Sequence, residues 1–505
     1  MSDTHTQPAT AAHSTPAQGA APSLSGRSNA ELQALDRRVM WHPFTQQRGW
    51  DTEDFPVIVA AEGCELIDAD GRRYLDGVSS LWCALHGHRV PEIDAAVQAQ
   101  LGRVAHSTLL GLGGEPAVLL AEQLLDVAPT GLSRVFYSDS GSSAVEIAVK
   151  MAFQARRQAD PKGTQRTRFL CMQNAYHGDT LGAVSVGGID LFHEIFSPLL
   201  FHTEQVNVPA GHSAALRAAD MPRCLAALDT LLAERGDEFA ALIMEPGAQG
   251  ASGLRVYPDG FTRAVVERCR AAGLLVILDE VATGFGRSGR LFACEREGVT
   301  PDLLCLAKGL SGGYLPLAAT LCSESIYECF LGNYEEYKSF FHGHTFTGNA
   351  LACAAALASL ELCRRPDFLS RARRIEAQLA EGFAVLDKHP NVLEVRRYGS
   401  MFGIELVRAR TGGERSTDQA SGGEGGTKDR GAGEHRDART GDAPLFFDTA
   451  RRTGHRVTEA ARQRGVILRP LGDTVICMPP ITMSVEQCAR LVKVALESID
   501  VAVAE

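Results

Sequence analysis

The chain is poor in several features that would announce a function outright. It has no basic stripe, and its net charge is -11 over 505 residues, which argues against nucleic acid as a partner. Its 13 cysteines are scattered, with no C-x-x-C pair, so neither a disulfide framework nor a zinc site is expected and no metal is assigned. That usage suits reduced, mostly buried thiols in a cytoplasmic protein. The apolar run at 350–360 is far shorter than the roughly 18 residues of a membrane span, and reads as a packed helix of small residues. The start of the chain lacks a basic head and an apolar segment, so it does not read as a secretory signal. What remains is a large globular α/β chain with 45% hydrophobic residues, enough for a large and a small domain.

The informative stretch is 274–319. An apolar run ends at Asp279 and Glu280, and a second ends at Lys308, directly before Gly309. Buried parallel strands that deliver charged residues at their C-terminal ends are how open α/β sheets present chemistry. A lysine there can form a Schiff base with a carbonyl, and a carboxylate there can hold a protonated pyridine nitrogen. Pyridoxal 5'-phosphate enzymes need that pair. Read alone, each residue has a plainer meaning, as a helix cap or a solvated cation. The glycines at 284, 286, 289, 309, 312 and 313 strengthen the joint reading, because they let backbone approach a ligand.

Other stretches fit around that pair. At 135–146 a short strand meets a Ser/Gly turn and then an apolar-faced helix; the Gly141 and Ser142 amides and the Ser142 hydroxyl would form a cup for the cofactor phosphate, the alternative being an ordinary serine cap. Residues 240–246 form another buried strand pattern, ending in Glu245. His342 and His344 could start a metal site, but further ligands at suitable spacing are not evident. Asp70-Gly71 marks a hairpin turn within 56–76. Arg469 closes a strand pattern at 465–470, where an arginine suits bidentate carboxylate binding, a surface arginine being the plainer alternative.

DEVATGFGRSG from Asp279 and AKGLSGGYLP around Lys308 together resemble the signature of the class III aminotransferases, with the pyridoxal-phosphate transferase fold type I. WHPFTQ from Trp41 is similar to the branch of that family that works in biotin synthesis. The resemblance covers about 35–500. It implies a large domain with a mostly parallel seven-stranded sheet and a smaller α/β domain. It implies that Lys308 carries the cofactor, that Asp279 pairs with its ring nitrogen, that Tyr176 of the Tyr176-His177-Gly178 run stacks on the ring, and that Glu245 lies close by. Gln249 is expected near the ring substituents, and His177 is read as structural. It further implies that the loop holding Gly343, His344 and Thr345 crosses to a partner subunit of a homodimer, with His344 and Thr345 at the neighbouring cofactor and Gly343 near substrate. Phe44, Trp82 and Tyr176 would border the substrate, and Arg469 would bind its carboxylate.

The implied reaction converts 8-amino-7-oxononanoate to 7,8-diaminononanoate, with S-adenosylmethionine as amino donor. Phe44 and Leu81 stand where that branch carries other aromatic residues, which leaves L-lysine as an alternative donor. Another ω-amino acid or diamine transaminase, an aminomutase and a catalytically silent scaffold are the remaining readings; the last requires Lys308 or Asp279 to be missing, and both are present. The expected organisation is a disordered tail over 1–29, an N-terminal segment over 30–77 joining the small domain, a large cofactor-binding domain over 78–360, and a small domain over 361–505 with a disordered insert at 408–448.

Overall fold

The computed structural model describes residues 24–160, 165–410 and 444–504. The expected tail lies outside the described residues up to position 23, and the expected insert lies outside them over 411–443. The chain divides into two compact units, one of residues 1–61 and 66–73, the other of 62–65 and 74–505.

The first unit opens with the helix Asn29–Val39, started by a Ser28–Glu31 capping box. Asp36 accepts from Trp50 Nε1 at 2.9 Å and contacts His42 Nε2 at 2.8 Å, and Trp50 stacks on Phe55 with ring centroids 4.1 Å apart. The expected Asp70-Gly71 turn is present: Gly71 sits at φ +82°, and Asp68 Oδ1 accepts from the Asp70 and Arg72 amides.

The second unit is built on a seven-stranded sheet. Its strands run in the spatial order Leu132–Ser138, Ala318–Ser323, Leu303–Leu306, Leu275–Asp279, Phe239–Met244, Arg168–Met172, Thr203–Val206. Ala318–Ser323 is antiparallel to both neighbours, and the five strands beyond it pair in parallel. The sheet is mostly parallel because its strands are apolar on both faces and are covered by helices on both sides. Alternation sorts the residues cleanly. Leu242, Met244, Val276, Leu278, Leu304 and Leu306 enter one core, with the helix Phe261–Ala271. Ala241, Ile243, Ile277, Leu303 and Cys305 enter the other, with the helix Gly141–Ala159. Each fully buried Leu or Ile contributes roughly 1.5–3 kcal/mol.

A smaller antiparallel sheet follows, ordered Val392–Tyr398, Met401–Leu406, Thr474–Cys477, Arg469–Leu471. The helices Phe368–Phe383, Thr453–Gln463 and Val485–Ala504 share one apolar core with it. No helix among the described residues is long and apolar enough to cross a membrane.

Candidate active site

Three neighbouring parallel strands end side by side, and each end carries a charged residue. Glu245 follows Phe239–Met244, Asp279 closes Leu275–Asp279, and Lys308 comes two residues after Leu303–Leu306. Strand alternation decides which acid faces the site. Asp279 continues the face of Ile277, on the side of the helix Gly141–Ala159, whereas Glu280 continues the face of Leu278. Glu280 is therefore spent inside the protein: it accepts from the amides of Ala293 and Cys294 at 2.7 and 2.8 Å and from the Thr283 hydroxyl.

A cavity of about 400 Å³ opens over these strand ends. Among its lining residues are Trp82, Gly141, Ser142, Tyr176, His177, Glu245, Asp279 and Lys308. Lys308 sits in the left-handed region at φ +47°, a conformation that costs a non-glycine residue about 1 kcal/mol or more. Its Nζ lies 4.9 Å from the centre of the Trp82 ring. Burial pulls its pKa below the usual lysine value, while Asp279 and Glu245 work against that. The outcome is an amine that gives up its proton more readily than a surface lysine.

Asp279 is gripped from behind. Its Oδ2 lies 2.7 Å from His177 Nδ1, and its Oδ1 accepts from the Val281 amide at 3.0 Å. His177 is 3% exposed and its Nε2 has no hydrogen-bond partner. Glu245 accepts from the Gly250 amide at 2.8 Å and the Tyr176 amide at 3.3 Å, and burial pushes its carboxyl up to about 7. The Tyr176 hydroxyl donates to Asp179 at 2.8 Å, and its pKa rises through burial and that carboxylate.

The helix Gly141–Ala159 aims its start at the cavity. Ser140 caps it by accepting from the Ser143 amide at 3.2 Å, so the Gly141 and Ser142 amides keep no intrahelical acceptor. The Ser142 hydroxyl accepts from the Asp179 amide at 3.2 Å. Two glycines make the cup possible. A Cβ on Gly141 would come within 2.7 Å of Val281, and one on Gly178, itself at φ +118°, would collide with Ser142. Pyridoxal phosphate fits this donor set: an anion cup at a helix start, a carboxylate braced by an imidazole, and a buried amine in one cavity.

The remaining expected residues lie elsewhere. Arg469 is half-buried on the strand Arg469–Leu471, outside the cavity lining; burial lowers its pKa and Tyr176 opposes that. Phe44 belongs to the N-terminal unit, 59% exposed at φ +51°. Gly343, His344 and Thr345 line a separate groove of about 1530 Å³. Gln249 donates to the Gln173 carbonyl, and its Oε1 is buried without a partner. His177, expected from the sequence to be structural, lines the cavity and braces Asp279. The sequence reading passed over Val281 and Asp139, which line the cavity.

With this geometry in place, the comparisons agree. The pattern of the family "Aminotransferase class-III" matches residues 49–499, and the chain belongs to that family. It is an aminotransferase of fold type I whose cofactor is pyridoxal 5'-phosphate. It is similar to the adenosylmethionine-8-amino-7-oxononanoate aminotransferase of Nitratidesulfovibrio vulgaris, 48% identical over 93% of this chain and 82% of the relative. It is also similar to the enzyme of the same name from Geobacter sulfurreducens, 45% identical over 91% and 95%. The solved structure of the Methanocaldococcus jannaschii enzyme of that name superposes with a TM-score of 0.82 at 38% identity, covering 93% of this chain and 99% of that one.

Proposed function

We propose that this chain transfers an amino group from S-adenosylmethionine to the ketone of 8-amino-7-oxononanoate, giving 7,8-diaminononanoate for biotin synthesis. What supports the reading most is the row of Glu245, Asp279 and Lys308 over one cavity, in a chain 48% identical to a relative named for that reaction.

When bound, the cofactor supplies a ring that accepts the electron pair left as a proton departs the donor's α-carbon. The residues do the rest. The Gly141 and Ser142 amides and the Ser142 hydroxyl hold the phosphate. Asp279 keeps a proton on the ring nitrogen, and His177 holds that carboxylate in place. Tyr176, which lines the cavity, would cover the ring face. The Lys308 amine, its pKa lowered by burial, is placed to take the donor's α-proton and to hand it on to the carbon on the far side of the nitrogen, and would reverse that transfer for the acceptor. Trp82 borders the substrate chain, and the Arg469 guanidinium takes its terminal carboxylate.

We further propose that the enzyme is a cytoplasmic homodimer in which the Gly343–Thr345 loop serves the site of a second copy. Support comes from exposed Leu110, Leu112, Phe341 and Phe346, at 89, 62, 73 and 57% exposure, on or beside the groove that this loop lines. All thirteen cysteines are free, which fits a reducing compartment.

One observation favours a second reading, with L-lysine as donor. The residue before Trp82 is Leu81, 49% exposed, and it offers no aromatic face to a sulfonium. The test is product analysis by mass spectrometry, with 8-amino-7-oxononanoate and each donor separately. The diamine should form with S-adenosylmethionine. Formation with lysine alone would overturn the donor, and formation with neither would overturn the acceptor.

A further inference from the structure

Lys308 holds a strained backbone that its own turn does not explain. At φ +47° it opens the short 3-10 turn Lys308–Ser311, which closes at Gly312 with φ +63°. A non-glycine residue keeps such a conformation only where its surroundings over-determine it. The Leu310 amide donates to the Ala307 carbonyl and the Gly312 amide to the Gly309 carbonyl, both at 3.0 Å. Those bonds are internal to the turn and fasten it to nothing else.

The fastening comes from two elements far away in sequence. Ser359 lies fully buried in the helix Ala350–Arg364, and its hydroxyl donates to the Gly309 carbonyl at 3.2 Å. His86, on the loop that follows Trp82, brings Nε2 to 3.1 Å from the same hydroxyl. The direction of this chain is fixed. A carbonyl only accepts, so the one Ser359 hydrogen goes to Gly309. The hydroxyl oxygen is then the acceptor for His86, which carries its hydrogen on Nε2. Burial pushes the His86 imidazole down to about 4, so the ring is neutral. The Thr482 hydroxyl holds the backbone of His86, donating to its carbonyl at 3.0 Å. Gly312 lies against both side chains: a Cβ there would come 3.3 Å from the His86 ring and 3.4 Å from the Ser359 hydroxyl.

We propose that His86 and Ser359 are positioning residues, which hold the Lys308 turn in its strained form so that the amine stands where the cofactor's aldehyde arrives. This deepens the reading above and rests on Lys308 being the residue that captures the cofactor. Both side chains lie outside the cavity lining, so they act through the Gly309 backbone and touch neither cofactor nor substrate. Without the hold the turn relaxes for part of the time. The affinity of a ligand that needs Lys308 in place then falls with the fraction of molecules that keep it there.

The experiment compares two ligands on the full-length apoenzyme. Pyridoxal phosphate carries an aldehyde, with which the Lys308 amine condenses to a C=N bond, releasing water. Pyridoxamine phosphate carries an amine in that place; it takes the same cup and floor but forms no bond with lysine. Ser359→Ala should bind pyridoxal phosphate about tenfold more weakly than wild type, and pyridoxamine phosphate within about twofold. His86→Leu should show the same split, and it carries the comparison alone if the buried alanine variant fails to fold. His86→Gln keeps an N–H donor and should bind both ligands as wild type does. The double variant with Ser359→Ala and His86→Leu should lose no more than Ser359→Ala alone, because His86 acts through Ser359. Equal weakening of both ligands, no weakening of either, or additive losses in the double variant overturns the proposal. A wild type that binds neither ligand overturns the reading of the cavity itself.

Discussion

The floor and the rim of the active site are built in opposite ways. The floor consists of strand ends in a sheet covered on both faces: Glu245, Asp279 and Lys308 leave three adjacent strands, and Glu245 and Asp279 are each 5% exposed. The rim is assembled from loops, and the proposed carboxylate-binding Arg469 would reach it from the second sheet. Ser79, Ser80 and Trp82 all take positive φ, at 50°, 61° and 65°, in a four-residue turn held by Asp76, whose carboxylate accepts from the Ser80 amide at 2.7 Å. Arg469 comes from a different sheet altogether. Chemistry common to a whole class of reactions sits where the backbone has the least freedom. Groups that choose between substrates sit where a loop or a sheet edge can change without disturbing the core.

The largest break in that contrast is Lys308→Ala. It removes the proton-transfer group and should lower kcat on the order of 10^4-fold, as measured by diamine formation. Asp279→Asn should cost about 10^3-fold in kcat, because a neutral amide no longer holds a proton on the ring nitrogen. Both floor changes should leave KM for the acceptor within a few-fold.

Glu245→Gln tests the floor through stability rather than rate. Folding raises this carboxyl from 4.5 to about 7, so the folded apoenzyme binds its proton more tightly than the unfolded chain does. Ionising it therefore costs stability as pH climbs from 4.5 towards 7, on the order of 3 kcal/mol when complete. Denaturant unfolding of the apoenzyme should show glutamine gaining on glutamate as pH rises from 5 to 8. The rim change is the smallest. Arg469→Leu should lower kcat/KM for the acceptor by about 10- to 100-fold, through KM, with the donor half-reaction unaffected. An equal loss in both half-reactions would place Arg469 with the floor and erase the distinction.

The same contrast explains what the sequence could disclose. The floor was legible because buried parallel strands are short apolar runs, and a charge at the end of each run stands out. Asp279, Lys308 and Glu245 could be read as strand ends from that pattern, and Gly141 as a helix start; their roles came from the joint pattern and the family resemblance. Which of Asp279 and Glu280 faces the cavity could not be read from the pair itself. That depends on which face the helix Gly141–Ala159 covers, a tertiary fact. The contact of His177 with Asp279 was hidden for a related reason: the two are 102 residues apart, and no local pattern encodes it. The His86–Ser359 contact spans 273 residues and was hidden in the same way. The strained turn at Ser79–Trp82 carries no glycine to mark it, so its backbone gave no local signal.

The most direct test is a single-turnover half-reaction. Enzyme loaded with pyridoxal phosphate is mixed with S-adenosylmethionine, with no acceptor present, and the absorbance of the bound cofactor is followed in wild type and Lys308→Ala. Wild type should convert its cofactor to the amine form in one turnover, and the variant should not. Equal conversion in both would contradict the assignment of Lys308, and no conversion in wild type with S-adenosylmethionine or with L-lysine would contradict the proposed reaction.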